Sequence, residues 1–190
     1  MALPLPKYTE SEYAEMEVKA DYRSEFYNGE IFAMAGGTFD HSKLATSIAR
    51  CVGNQVGDRC HVLGPDMRIR VAATRLQTYP DVSVVCGDPI FTRGRNDCIE
   101  NPIVIVEVLS ESTESYDRGF KFDNNYKRIP SLREFVLVAQ DRRPNIEVLR
   151  KGKAGRWTAT ITEGMDASFT LSSIGATIRI ADVYAGIPMS

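Results

Sequence analysis

An acid inside an apolar run is the first residue whose chemistry needs explaining. Residues 103–109 (IVIVEVL) form a nearly continuous β-branched stretch, the pattern of a strand covered on both faces, and Glu107 sits within it. An ionised, unpaired carboxylate there costs several kcal/mol at least, so Glu107 holds a proton, pairs with a base or coordinates a metal. The competing reading is a strand-end acid that faces water or a structural arginine. Asp81 directly follows Pro80 and opens a second apolar run, 81–86 (DVSVVC), and carboxylates from neighbouring strands can meet at one point. Hard divalent ions such as Mg²⁺ take one or two carboxylates, with waters and substrate phosphates completing the shell. That arrangement suits phosphodiester hydrolysis. A cation is still wanted to stabilise charge and orient the attacking water. Lys121, one helical turn beyond Asp117, is the candidate; the competing reading is an exposed Asp117–Lys121 pair on a solvated face. His41 could touch a phosphate or water from the first turn of a helix, or serve as a cap-region residue bonded to backbone.

These residues need elements to hold them. In 9–19 (TESEYAEMEVK), Thr9 and Glu12 stand in capping-box register and predict a short helix. Asn28-Gly29, between two runs of alternating character in 22–35, signals a tight hairpin turn. Leu44, Ile48, Val52 and Val56 recur every fourth residue with Ala45 and Ala49 beside them, one apolar stripe of a helix that packs on a sheet. In 61–72, Met67, Ile69 and Val71 alternate with Arg68 and Arg70, which predicts a half-exposed strand. The runs at 81–86, 103–109 and 135–139 predict buried strands, 115–127 a helix that Pro130 prevents from continuing, and 145–151 with 157–161 a hairpin around Gly152 and Gly155. Between the two acid-bearing strands, 87–101 is a loop of about 15 residues, a length more often functional than merely connecting. The order helix, hairpin, helix, strands, helix, strands fits an α/β or α+β mixed sheet with helices on both faces.

At 190 residues and 21.2 kDa, one domain over 1–190 is expected, large enough to bury about 70% of the surface its unfolded chain exposes. A hydrophobic fraction of 43% with 25% charged residues excludes global disorder. Lys and Arg number 23 against 25 Asp and Glu, a net charge of −2, whereas a general polyanion binder is basic. Any nucleic-acid contact must therefore use a local patch, for which Arg68, Arg70, Arg93, Arg95 and Arg118 are candidates. No run approaches the roughly 18 apolar residues of a membrane span, and residues 1–6 lack the features of a secretory signal, so a cytoplasmic location is expected. Cys51, Cys60, Cys86 and Cys98 form no C-x-x-C pair, and with only His41 and His61 available a structural zinc is poorly supported; reduced, structural thiols are expected. The absence of a Walker-type loop, a G-x-S-x-G elbow and an H-E-x-x-H helix argues against a P-loop NTPase, a serine-type hydrolase and a zincin.

Pro80-Asp81-Val82-Ser83-Val84-Val85, then Ile105-Val106-Glu107-Val108-Leu109-Ser110 with Ser112-Thr113, then Asp117, Lys121 and Tyr126, resemble in order and spacing the Uma-type family of restriction-endonuclease-like proteins, catalogued as the domain of unknown function DUF820. Tyr27-Asn28-Gly29-Glu30 before a strand and Asp40-His41 opening the long helix extend the likeness, which covers residues 8–149. The resemblance implies a PD-(D/E)xK nuclease: a restriction-endonuclease-like mixed sheet flanked by helices, with an N-terminal helix and a β-hairpin added, and a metal site where two strands diverge. Asp81 matches the motif's aspartate and Glu107 its second acid, and both would bind Mg²⁺ (or Mn²⁺). Leu109 stands where the motif has lysine, a departure the family shares, and Lys121 matches the family's helix lysine. An acid from the first hairpin often completes such a site; Glu25 is favoured over Glu30, which reads as an exposed strand residue, and His41 matches a family histidine. The implied activity is metal-dependent cleavage of DNA by a homodimer, one site per strand. The alternative, which Leu109 and the acidic net charge keep open, is a nuclease-fold binding or assembly module that does not cut.

Overall fold

The structure, a computed structural model, describes residues 7–140 and 143–188. Thr9 caps helix α1 (Glu10–Glu17), accepting the Glu12 amide at 3.2 Å while the Glu12 carboxylate accepts the Thr9 amide at 2.7 Å. Two amides without a helical partner are thereby satisfied. Strands β1 (Ser24–Tyr27) and β2 (Glu30–Ala33) pair antiparallel around Asn28 and Gly29, whose φ angles of 49° and 89° are the left-handed pair that a two-residue hairpin turn requires. Thr38 caps α2 (Phe39–Val56), and the stripe Leu44, Ile48, Val52 and Val56 is buried as its spacing predicts.

Two sheets organise the rest. The larger comprises β3 (Cys60–Leu63), β6 (Val82–Cys86), β8 (Val104–Leu109), β9 (Glu134–Ala139), β10 (Asn145–Lys151) and β11 (Trp157–Glu163), in the order β11-β10-β9-β8-β6-β3. Its β8–β9 pairing is parallel and its other pairings are antiparallel. The smaller runs β2-β1-β5-β4-β7, with β4 (Arg68–Val71), β5 (Leu76–Thr78) and β7 (Cys98–Ile99). Strand alternation divides the core. Val104, Val106, Val108, Val136 and Val138 pack with α2, the hairpin β12 (Ser168–Leu171)–β13 (Ala176–Arg179) and α3 (Ile180–Val183). Ile105, Leu109, Phe135 and Leu137 pack on the opposite face with Phe122, Tyr126 and the smaller sheet. Each such side chain contributes about 1.5–3 kcal/mol of apolar burial, and coverage of both faces is why 103–109 reads as a continuous apolar run.

Four expectations change. Residues 61–72 form two strands in different sheets, separated by a turn in which the Met67 amide bonds to Gly64 O at 3.1 Å. Arg68 is completely buried: Tyr13 from α1 covers its guanidinium, 5.0 Å from ring centroid to Cζ, and Asp97 pairs with it at 3.1 Å. Cys60 and Cys86 are joined by a disulfide, whereas Cys51 and Cys98 are free and buried. Antiparallel register sets Cys60 opposite Cys86 on β3 and β6, a proximity that their separation of 26 residues does not signal. The helix expected over 115–127 is a π-helix, Tyr116–Asp123, followed by a 3₁₀ turn, Tyr126–Arg128. Among the described residues no helix is long and apolar enough to cross a membrane.

Candidate active site

Pairing of β6 with β8 runs from Val84–Val104 to Val82–Val106 and stops. One residue further on, Asp81 comes level with Glu107. Its Oδ2 accepts the Val108 amide at 2.7 Å, a donor that the ended ladder leaves free. Its Oδ1 lies 2.8 Å from Nε2 of His41. That hydrogen bond raises the His41 pKa above its ordinary value, with burial opposing. The His41 amide meanwhile donates to Thr38 Oγ1 at 3.2 Å, so the capping contact and the contact with the acid coexist in one residue.

Glu107 is 3% exposed, which removes the strand-end reading. Its Oε1 accepts from Lys121 Nζ at 3.1 Å and from the Tyr126 hydroxyl at 2.8 Å. Burial pushes its carboxyl up to about 8, against the downward pull of the Lys121 ammonium. Lys121 Nζ is also 3.1 Å from Asp117 Oδ1 and 3.8 Å from Glu25 Oε1. Burial opposes charge on Lys121, but Glu107, Asp117 and Glu25 together outweigh it and hold its pKa above the ordinary lysine value. The Asp117–Lys121 pair expected on a solvated face therefore exists but is buried, and burial raises Asp117 too. A π-helix carries the pair, a rare geometry frequently found at functional sites. Glu25, on β1, accepts from the hydroxyls of Thr78 on β5 and Tyr116 on the π-helix.

Glu25, His41, Asp81, Glu107 and Lys121, the five residues selected from sequence, line one cavity of about 430 Å³. A neighbouring cavity of about 790 Å³ shares His41, Asp81 and Tyr79 with it. Glu30 lies outside both, on the edge strand opposite Tyr27. Tyr126 was visible only as part of the ordered motif, Asp117 also through its helical spacing from Lys121, and nothing in the sequence marks Thr78 or Tyr116 as partners of Glu25. The arginine patch does not form. Arg68 is buried, Arg70 pairs with Glu10 and Glu100, Arg95 with Asp97, and Arg118 with Glu114 and Glu147, which leaves Arg93 on the loop.

Among the described residues no three His, Cys, Asp or Glu side chains are grouped as a metal cage. Mg²⁺ does not require one, since it commonly binds through one or two carboxylates and keeps several waters. The donor chemistry fits. Four carboxylates, from Glu25, Asp81, Glu107 and Asp117, share a cavity with the single ammonium of Lys121. No donor among the described residues reaches Glu107 Oε2.

The family model Uma2, described as "Putative restriction endonuclease", matches residues 10–181. "Uncharacterized protein slr1290" of Synechocystis sp. is 34% identical, over 97% of this chain and 95% of its own length. "Uncharacterized protein sll1609" of the same organism is 37% identical, over 70% of this chain and 75% of its own. A crystal structure of a "putative nuclease belonging to DUF820" from Anabaena variabilis matches with a TM-score of 0.68 at 16% identity, covering 94% of this chain and 98% of that one. That likeness is one of fold.

Proposed function

The chain belongs to the Uma2 family of "putative restriction endonucleases", and from that premise we propose that it is a metal-dependent DNA endonuclease using PD-(D/E)xK-type chemistry. One observation carries the reading: Asp81 and Glu107 come level where β6 and β8 part, with Lys121 against Glu107. Asp81 and Glu107 would hold Mg²⁺ or Mn²⁺. The bound ion would polarise the phosphoryl oxygen and make hydroxide available near neutral pH. Lys121 supplies positive charge toward the reacting phosphoryl group in place of the lysine that Leu109 replaces. His41 orients Asp81 through their 2.8 Å contact, and Glu25 holds the far side of Lys121. A homodimer acting in the cytoplasm would bring one site to each strand of a duplex.

Isothermal titration of Mn²⁺ into wild-type and Asp81→Ala/Glu107→Ala protein, beside plasmid cleavage by each, tests the reading. Binding and nicking by wild type that both vanish in the double variant are expected. A wild type that binds no Mn²⁺ and leaves plasmid intact through long incubation overturns it in favour of a non-cutting scaffold.

A further inference from the structure

An anionic substrate entering this cavity meets four carboxylates and one ammonium that three of them already surround. Its hydrogen bonds must come largely from neutral donors, and one wall supplies them. Ser110, Ser112 and Thr113, immediately beyond β8, line the cavity; the Thr113 hydroxyl already serves the Asp117 carboxylate, whereas those of Ser110 and Ser112 meet only neutral hydroxyls among the described residues. Ser110 Oγ lies 3.1 Å from Ser112 Oγ and 3.0 Å from Thr113 Oγ1. Backbone bonds already close the turn, because Ser110 O accepts the amides of Thr113 at 3.1 Å and Glu114 at 3.0 Å. A hydroxyl proton rotates to suit its acceptor, so these donors can swing from one another to an incoming oxygen. Ser110 is three residues from Glu107 on the same chain segment, which brings any group seated there beside the acids.

We propose that the turn over 110–113 is the phosphate-binding subsite of the cavity, where Ser110 and Ser112 hydrogen-bond the oxygens of a DNA backbone phosphate. The proposal rests on the nuclease reading and adds the contacts that position its substrate. Hydroxyls serve here because they bind phosphate without placing a further cation among the acids. They also leave a distinctive signature: lysine or arginine contacts to phosphate set the salt dependence of binding through counterion release, and neutral donors do not.

Fluorescence anisotropy with a fluorescein-labelled DNA duplex and Ca²⁺ present tests the proposal on wild type, Ser110→Ala/Ser112→Ala, Ser112→Ala and Ser112→Thr, with Mn²⁺ titration and thermal melting of each. Loss of both hydroxyls is expected to weaken DNA binding about tenfold. The salt slope, Mn²⁺ affinity and melting temperature should stay at wild-type values. Ser112→Ala, at an exposed position, should show a smaller loss, and Ser112→Thr should restore binding. DNA binding by the double variant equal to wild type overturns the subsite and leaves the nuclease reading standing. Mn²⁺ affinity that falls together with DNA affinity also overturns it, since the hydroxyls would then be supporting the acids. A wild type that binds no DNA overturns both.

Discussion

Tyr126 donates its hydroxyl proton to Glu107 at 2.8 Å, and the oxygen it chooses is the one that also faces Lys121. Both donors crowd onto Oε1, so the other oxygen of a buried carboxylate is turned toward the cavity. Tyr126→Phe keeps the ring against Phe135, 5.6 Å between centroids, and removes only the hydroxyl. The expected cost is about 1–3 kcal/mol, that of leaving a buried acceptor short of a donor. Urea unfolding measures it, and a midpoint equal to wild type would show that the hydroxyl holds nothing.

Lys121→Met should be the most damaging single change in the cavity. It leaves Glu25, Glu107 and Asp117 facing one another without their counter-charge, and breaking a buried pair in this way costs about 3–5 kcal/mol. Adding Glu107→Gln should recover part of that loss, because one of the uncompensated acids is gone. Additive losses in the double-mutant cycle would rule out direct coupling of the two side chains.

The metal-free protein should lose stability as pH rises from about 4.5 to about 8. Glu107 has an ordinary value of 4.5 and is pushed up to about 8 by burial. Between those limits the unfolded chain releases this proton while the folded chain retains it, so rising pH favours unfolding. Asp117, raised by burial, and His41, raised by its bond to Asp81, act in the same direction. Lower urea midpoints at pH 8 than at pH 5 in chelator are expected, with Glu107→Gln flattening the difference. A midpoint that climbs across this range contradicts the protonated state of Glu107.

Reduction should be felt at the edge of the large sheet. The Cys60–Cys86 bond closes a loop with a separation of 26 residues, and loop-closure entropy assigns such a link about 3–4 kcal/mol. Thermal unfolding with and without dithiothreitol should differ accordingly, with Cys60→Ser/Cys86→Ser matching the reduced sample. The cytoplasm favours the dithiol, so the reduced value is the one that applies in the proposed location.

One unit over residues 1–190 remains the proposed domain organisation. Urea unfolding should then give a single transition, with tryptophan fluorescence of Trp157 and far-ultraviolet circular dichroism coincident. Separate transitions would divide the chain.

Much of this architecture was legible in local chemistry. Capping residue Thr9, the Asn28-Gly29 turn and the stripe Leu44 to Val56 declare their elements within a few residues of sequence. Glu107 was legible because an acid amid IVIVEVL contradicts its surroundings, and Asp81 because it opens the next apolar run. What escaped depends on contacts distant in sequence. Arg68 looked solvent-facing because the alternation of 67–71 carries no sign of Tyr13, and the short strands β5 and β7 lack the length for a periodic signal. The burial of Asp117 with Lys121 followed from packing against Glu107 and Glu25, which helical spacing does not reveal.

The early end of the β6–β8 ladder makes the site intolerant of length change in a way that composition does not show. Asp81 meets Glu107 only because Val82 pairs with Val106, and strand side chains alternate between faces. A single residue inserted between Asp81 and Val84 would leave both strands apolar and the sheet able to form, yet turn the aspartate to the opposite face. Within this chain, insertions and deletions at β6 would erase the acid pair more surely than many substitutions, while the sheet itself survives.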